Sequence, residues 1–189
     1  MIKDYSDCFH PIRALLDSCS EFKFITEEAA KRLKLKWEYS HQEVSGIADV
    51  RTTISKHVTA TVRSRISEFE WTSTFAVSNC ISSKQPSDFV AIHDWKIPND
   101  IDLADPEFCK PQHIDLLIGT EIFFGLLRSG TFSLGPDLPS LVNSTFRWIV
   151  GGTFHQKEIS RTFTCNVALK SSENNLEALV RTFWEIEDF

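Results

Sequence analysis

The feature that most constrains the fold is period-two alternation between residues 54 and 77. Ile54, Val58, Ala60, Val62 and Ile66 share one parity, whereas Ser55, His57, Thr59, Thr61, Arg63 and Arg65 share the other. Successive side chains of a strand point to opposite faces, so the pattern predicts one long, half-buried strand. After a break at Ser67-Glu68 the alternation resumes with Phe69, Trp71, Phe75 and Val77, which predicts an antiparallel hairpin between the two runs. A chain patterned in this way is committed to a mainly β body. Trp148, Ile149 and Val150, ahead of Gly151-Gly152, predict a further strand, and Phe163, Cys165, Val167 and Leu169 a weaker one.

Helical signals are short. Residues Thr26 to Leu33 offer a capping hydroxyl, an acidic first turn and a basic last turn, so capping and the helix dipole agree. Glu121 to Leu127, just after Leu116-Leu117-Ile118-Gly119, predicts a second short helix. Beyond the polar link Lys170-Ser171-Ser172, the apolar residues Leu176, Leu179, Val180, Phe183 and Trp184 recur at helical spacing and predict a helical tail. The expected organisation is a body over residues 1–155, a linker or extra strand over 156–170 and the tail over 171–189.

At 189 residues and 42% hydrophobic content, the chain can bury the core of one domain with an appendage. Its net charge of −6 argues against nucleic-acid binding, which needs a basic stripe to neutralise phosphates. Lys31 to Arg65 carries eight basic residues against three acidic ones, and reads as a solvated face. The cysteines at 8, 19, 80, 109 and 165 are odd in number and lack metal-ligand spacing, so neither a disulfide framework nor a metal site is expected. Cys109 and His113, with Pro111 between them, read as incidental, and no cofactor is expected. The opening Met-Ile-Lys-Asp-Tyr-Ser-Asp has no apolar run behind its charge, and no stretch reaches 18 apolar residues. The expectation is an intracellular, cytoplasmic chain with no membrane partner.

Chemistry concentrates in Arg13-Ala14-Leu15-Leu16-Asp17-Ser18-Cys19-Ser20, where an apolar strand delivers a carboxylate to a turn of small residues. In the same order follow Phe24-Ile25-Thr26-Glu27-Glu28, then Val44-Ser45-Gly46-Ile47, Leu103-Ala104-Asp105-Pro106, Ile114-Asp115-Leu116-Leu117-Ile118-Gly119 and Phe146-Arg147-Trp148-Ile149. Together these segments resemble the aspartic peptidase domain of Bel-Pao retrotransposon polyproteins, a retropepsin-like family. The tail Phe183-Trp184-Glu185-Ile186-Glu187 resembles the link that joins that protease to a downstream reverse transcriptase.

The resemblance implies a closed, roughly six-stranded acid-protease barrel with two short helices and a C-terminal helical tail. It also implies a homodimer in which each subunit supplies one aspartate, acting on an extended peptide or polyprotein. The sequence adds that no second Asp-Ser/Thr-Gly motif occurs in the chain, so one copy holds half a site. By resemblance Asp17 is the catalytic residue, sharing a proton with its mate and activating water, one carboxylate as base and the other as acid. Ser18 supports the loop by hydrogen bonding, and Leu117, Ile118 and Gly119 pack beside it. Val44, Ser45, Gly46, Ile47 and Ala48 match the flap that closes over substrate. Asp105-Pro106 reads as a turn initiator and Asp115 as a surface or hydrogen-bonding residue.

Three departures from the family pattern bear on activity. Cys19 stands where the family has glycine, at a position expected to need a conformation costly to a side-chain-bearing residue and to crowd the dyad. Only twelve residues precede Arg13, which predicts a shortened opening strand and weaker barrel closure. Glu21-Phe22-Lys23 replaces small polar residues, a change expected to be tolerated at the surface. The competing expectation is a catalytically silent remnant that binds peptide or self-associates.

Overall fold

The computed structural model describes residues 1–45 and 51–152. Along it run β1 (Ile2–Lys3), β2 (Phe9–His10), β3 (Ala14–Leu16), β4 (Phe24–Thr26), α1 (Glu27–Arg32), β5 (Trp37–Ser45) and β6 (Arg51–Arg63). Then come β7 (Glu70–Ser78), β8 (Leu116–Ile118), α2 (Thr120–Leu126), β9 (Leu127–Ser133), β10 (Ser140–Ser144) and β11 (Ile149–Gly151). The linker at 156–170 and the tail at 171–189, with the alternation around Phe163, lie outside the described residues.

Alternation does what it predicts in β6 and β7. The two strands pair antiparallel from His57↔Ala76 to Arg63↔Glu70, and Ile54, Val58, Ala60, Val62 and Phe75 are buried. On the opposite face the hydroxyls of Thr59 and Thr74 meet at 3.1 Å and those of Thr61 and Thr72 at 2.7 Å, cross-strand pairs that favour this register. Ile66 falls beyond the end of β6, because the Ser64 hydroxyl accepts from the Ile66 and Ser67 N–H groups and turns the chain.

The sheet orders its strands β2-β1-β6-β7-β4-β8-β3, with β5 also on β6. It curls into a half-barrel. Among the described residues the sheet is eight-stranded, running from β2 at one end to β3 at the other, and its curl is consistent with the expected β barrel. A separate antiparallel meander, β11-β10-β9, supplies three more strands. Strand β6 is long enough to share one edge between β5 and β1, pairing Trp37↔Val58 and Ile2↔Val62.

The opening strand is short, as expected, but it is not loosely held. Met1 O accepts from Arg63 N at 2.8 Å, the Met1 amine donates to Arg63 O at 2.9 Å, and Ile2 is fully buried. Two residues suffice because Ile2 enters the main core with Ile25, Val58, Phe75, Leu116 and Ile118. Burial of each such side chain contributes roughly 1.5–3 kcal/mol.

Both short helices predicted for the body form. Thr26 caps α1 by accepting from Ala29 N, with Glu27 and Glu28 in the first turn and Lys31 and Arg32 in the last. Ala29, Ala30 and Leu33 give it a buried face. Helix α2 begins at Gly119 without a side-chain cap and buries Leu126.

Candidate functional site

Strand β8 lies between the two arms of the Asp17 loop. It pairs parallel with β3, Leu16 opposite Ile118, and antiparallel with β4, Phe24 opposite Leu117. A central strand is buried on both faces and reads as a continuous apolar run. Accordingly Leu116 and Ile118 enter the main core, while Leu117 joins Ile81, Ile114, Leu15 and Phe24 on the other side.

This scaffold fixes the loop at both ends. Asp17 N–H donates to Ile118 O at 3.0 Å, continuing the β3–β8 ladder into the loop. Thr120 N–H donates to Ser20 O at 2.7 Å. Between these points, Cys19 N–H donates to Asp17 Oδ1 at 2.9 Å and orients the carboxylate. Gly119 makes the close approach possible: a Cβ there would stand 2.4 Å from the carbonyl oxygens of both Ser20 and Phe22.

Cys19 corrects one expectation. Its φ is not among the positive values found at Asp7, Lys34, Asp137 and Arg147, so its backbone carries no left-handed strain. The side chain points into solvent, and the contact with the carboxylate comes from the backbone N–H, which any residue but proline provides. Crowding by the thiol is therefore a matter for whatever faces the loop. Ser18 is exposed, and its hydroxyl lies 4.0 Å from Cys19 Sγ.

Two anchors hold the strands that frame this turn. Arg13, just before β3, points Nε and Nη2 at Asp105 Oδ2, each at 2.7 Å. Its Nη1 donates to Gln85 O and Lys110 O at 2.7 and 2.9 Å, and its Nη2 to Glu107 O at 2.6 Å. One guanidinium thus ties the long β7–β8 connection to the start of β3. Asp105, read from sequence as a turn initiator, does accept from Glu107 N, but it is also half of this ion pair. Asp115 is a hydrogen-bonding residue, as expected: it accepts from the Thr26 hydroxyl at 3.0 Å and from Arg32 at 2.8 Å.

Lys23 corrects another expectation. Its side chain is only 13% exposed, lies 5.6 Å from the centre of the Trp71 ring and pairs with Glu121. Phe22 and Lys23 are partly buried rather than surface replacements, because the returning arm of the loop passes between β7 and the start of α2.

Val44 and Ser45 end the strand β5, opposite Thr52 and Arg51. The β5–β6 hairpin therefore carries the segment matched to a flap, and a register shift between Tyr39 and Gln42 adds local twist. Gly46, Ile47 and Ala48 lie outside the described residues.

Three carboxylates away from the loop are held below their ordinary range. At Asp4, partial desolvation opposes the charge but is outweighed by N–H groups of Cys8 and Ser6, the Ser6 hydroxyl and His10. Glu27 is lowered by Lys31 and Lys56, and Glu107 by Lys110 and Gln112. Cys109 is buried and His113 exposed; among the described residues no cluster of three His, Cys, Asp or Glu could hold a metal ion. Nor is any helix there long and apolar enough to cross a membrane.

Asp17 thus presents one oriented, half-buried carboxylate beside an exposed turn. A single carboxylate can take a proton from water, but peptide hydrolysis also needs a group to protonate the substrate. Comparisons of the chain with protein-family descriptions, with curated proteins and with solved structures give no match.

Proposed function

We propose that this chain is one half of a homodimeric aspartic endopeptidase, of the retropepsin-like kind carried by Bel-Pao retrotransposon polyproteins. The observation that carries the reading is the Asp17 loop itself. Its carboxylate is aligned by the N–H two residues on, and its arms straddle a buried strand that ends at a sterically required glycine. In the dimer, Asp17 of each copy would face its mate, one ionised to activate water and the other protonated to polarise the scissile carbonyl. The substrate is an extended peptide or polyprotein, covered by the β5–β6 hairpin, whose closure would exclude water.

A second reading is favoured by the exposed thiol of Cys19, one residue beyond Ser18 on a turn that must meet its partner closely. In that reading the loop keeps its aspartate but binds without cleaving. Sedimentation of the full chain at micromolar concentration, together with cleavage of a peptide library, separates the two. The enzyme reading expects a dimer, cleavage lost in Asp17→Asn, and a rise of roughly tenfold or more in Cys19→Gly. A monomer, or cleavage that survives Asp17→Asn, would remove it. A dimer that is inert in both the natural and Cys19→Gly forms would favour the silent reading.

A further inference from the structure

We propose that the Lys23–Glu121 ion pair is a positioning clamp for the Asp17 loop, an inference that rests on the peptidase reading for its catalytic consequence. Three consecutive residues at the start of α2 engage the returning arm of the loop. Gly119 packs against the Ser20 and Phe22 carbonyls, Thr120 N–H binds Ser20 O at 2.7 Å, and Glu121 pairs with Lys23.

The first two contacts use backbone and hold the arm at Ser20 and Phe22. Lys23 adds a side-chain tie at the far end of the arm. Its carbonyl accepts from Ala76 N at 2.9 Å, which binds the residue to β7, while its ammonium reaches across to α2. The ammonium also lies over the Trp71 ring, and the side chain is 13% exposed, against 60% for Glu121. An ion pair with one partner so enclosed is screened less than one in open water. Without the Lys23–Glu121 pair the arm between Ser20 and β4 would keep only its backbone bonds to Thr120 and Ala76, and the neighbouring Cys19 N–H that orients Asp17 would be less firmly placed. Asp17 itself is untouched by either side chain, so the pair acts by position and not by chemistry.

The test uses the full chain with Lys23→Met, which keeps an unbranched apolar side chain of similar length, with Glu121→Gln, and with the reversed pair Lys23→Glu/Glu121→Lys. Hydrogen exchange is followed at the Cys19 and Thr120 amides, and kcat and KM are measured on a cleavable peptide. Each single variant is expected to exchange about tenfold faster at those two amides, with the β6–β7 amides unchanged. It should also lower kcat by roughly 10- to 100-fold with KM within about twofold, and the reversed pair should recover both. The clamp is overturned by unchanged exchange at Cys19 and Thr120, by acceleration spread evenly over the sheet, or by failure of the reversed pair to recover. If neither the natural chain nor Cys19→Gly shows cleavage dependent on Asp17, the peptidase reading falls, and exchange alone decides the clamp.

Discussion

A methyl group at Gly119 would sit 2.4 Å from two backbone carbonyl oxygens, neither of which can swing aside as a side chain could. Gly119→Ala must therefore push α2 away from the loop, a form of overpacking. It is expected to cost about 3 kcal/mol, read as a lower urea midpoint, and to abolish any cleavage that depends on Asp17. Cys19 is the opposite case. The glycine that the resembled peptidases carry at this point would suggest a special backbone, yet the residue here has no positive φ and its side chain is exposed. The intrachain cost of Cys19 is accordingly small, and its effect is confined to what approaches the turn from outside.

At the scale of elements, α1 shows how far local signals reach. Thr26 caps the helix and donates its hydroxyl to Asp115, and Asp115 also receives Arg32 from the last turn of the same helix. The cap and the dipole were readable from eight consecutive residues; Asp115, 89 residues from Thr26, was not. Thr26→Ala removes both bonds and is expected to lower stability by about 1–2 kcal/mol in chemical denaturation, with Thr26→Ser retaining most of it. Strand β9 gives the contrary lesson. Arg128 to Ser133 are exposed on both faces, so no alternation of apolar and polar residues marks the strand, and only its pairing with β10 defines it. Strand β5 was hidden for a similar reason, as Glu38 to Glu43 are all exposed.

For the whole molecule at acid pH, the lowered carboxylates of Asp4, Glu27 and Glu107 set the direction in which stability changes. A carboxyl whose value in the folded state lies below its unfolded value stabilises the fold fully above the unfolded value, about 3.9 for Asp and 4.3 for Glu. That contribution disappears as pH falls through the folded value. From these three groups, the urea midpoint should decline below about pH 4. Replacing Asp4 by Asn should flatten that decline; an equally steep fall in the variant would show that Asp4 does not contribute to it. A peptidase built on this body would have its acid limit set by unfolding as well as by its dyad.

By itself the sequence determined the mainly β character, the β6–β7 hairpin and the two short helices, because strand alternation, turns and caps are written in neighbouring residues. It also picked out the segments Arg13–Ser20 and Leu116–Gly119 as belonging together in pattern. Only the tertiary structure decided that β8 runs between the arms of the Asp17 loop, that Arg13 grips Asp105 across 92 positions, and that Lys23 reaches Glu121 across 98. The physical reason is that periodicity states which face of a strand is buried and not which strand lies beside it. Pairings separated by about a hundred residues are chosen by packing, hydrogen-bond satisfaction and charge once the whole sheet has curled, and those choices place the one carboxylate that the sequence had singled out.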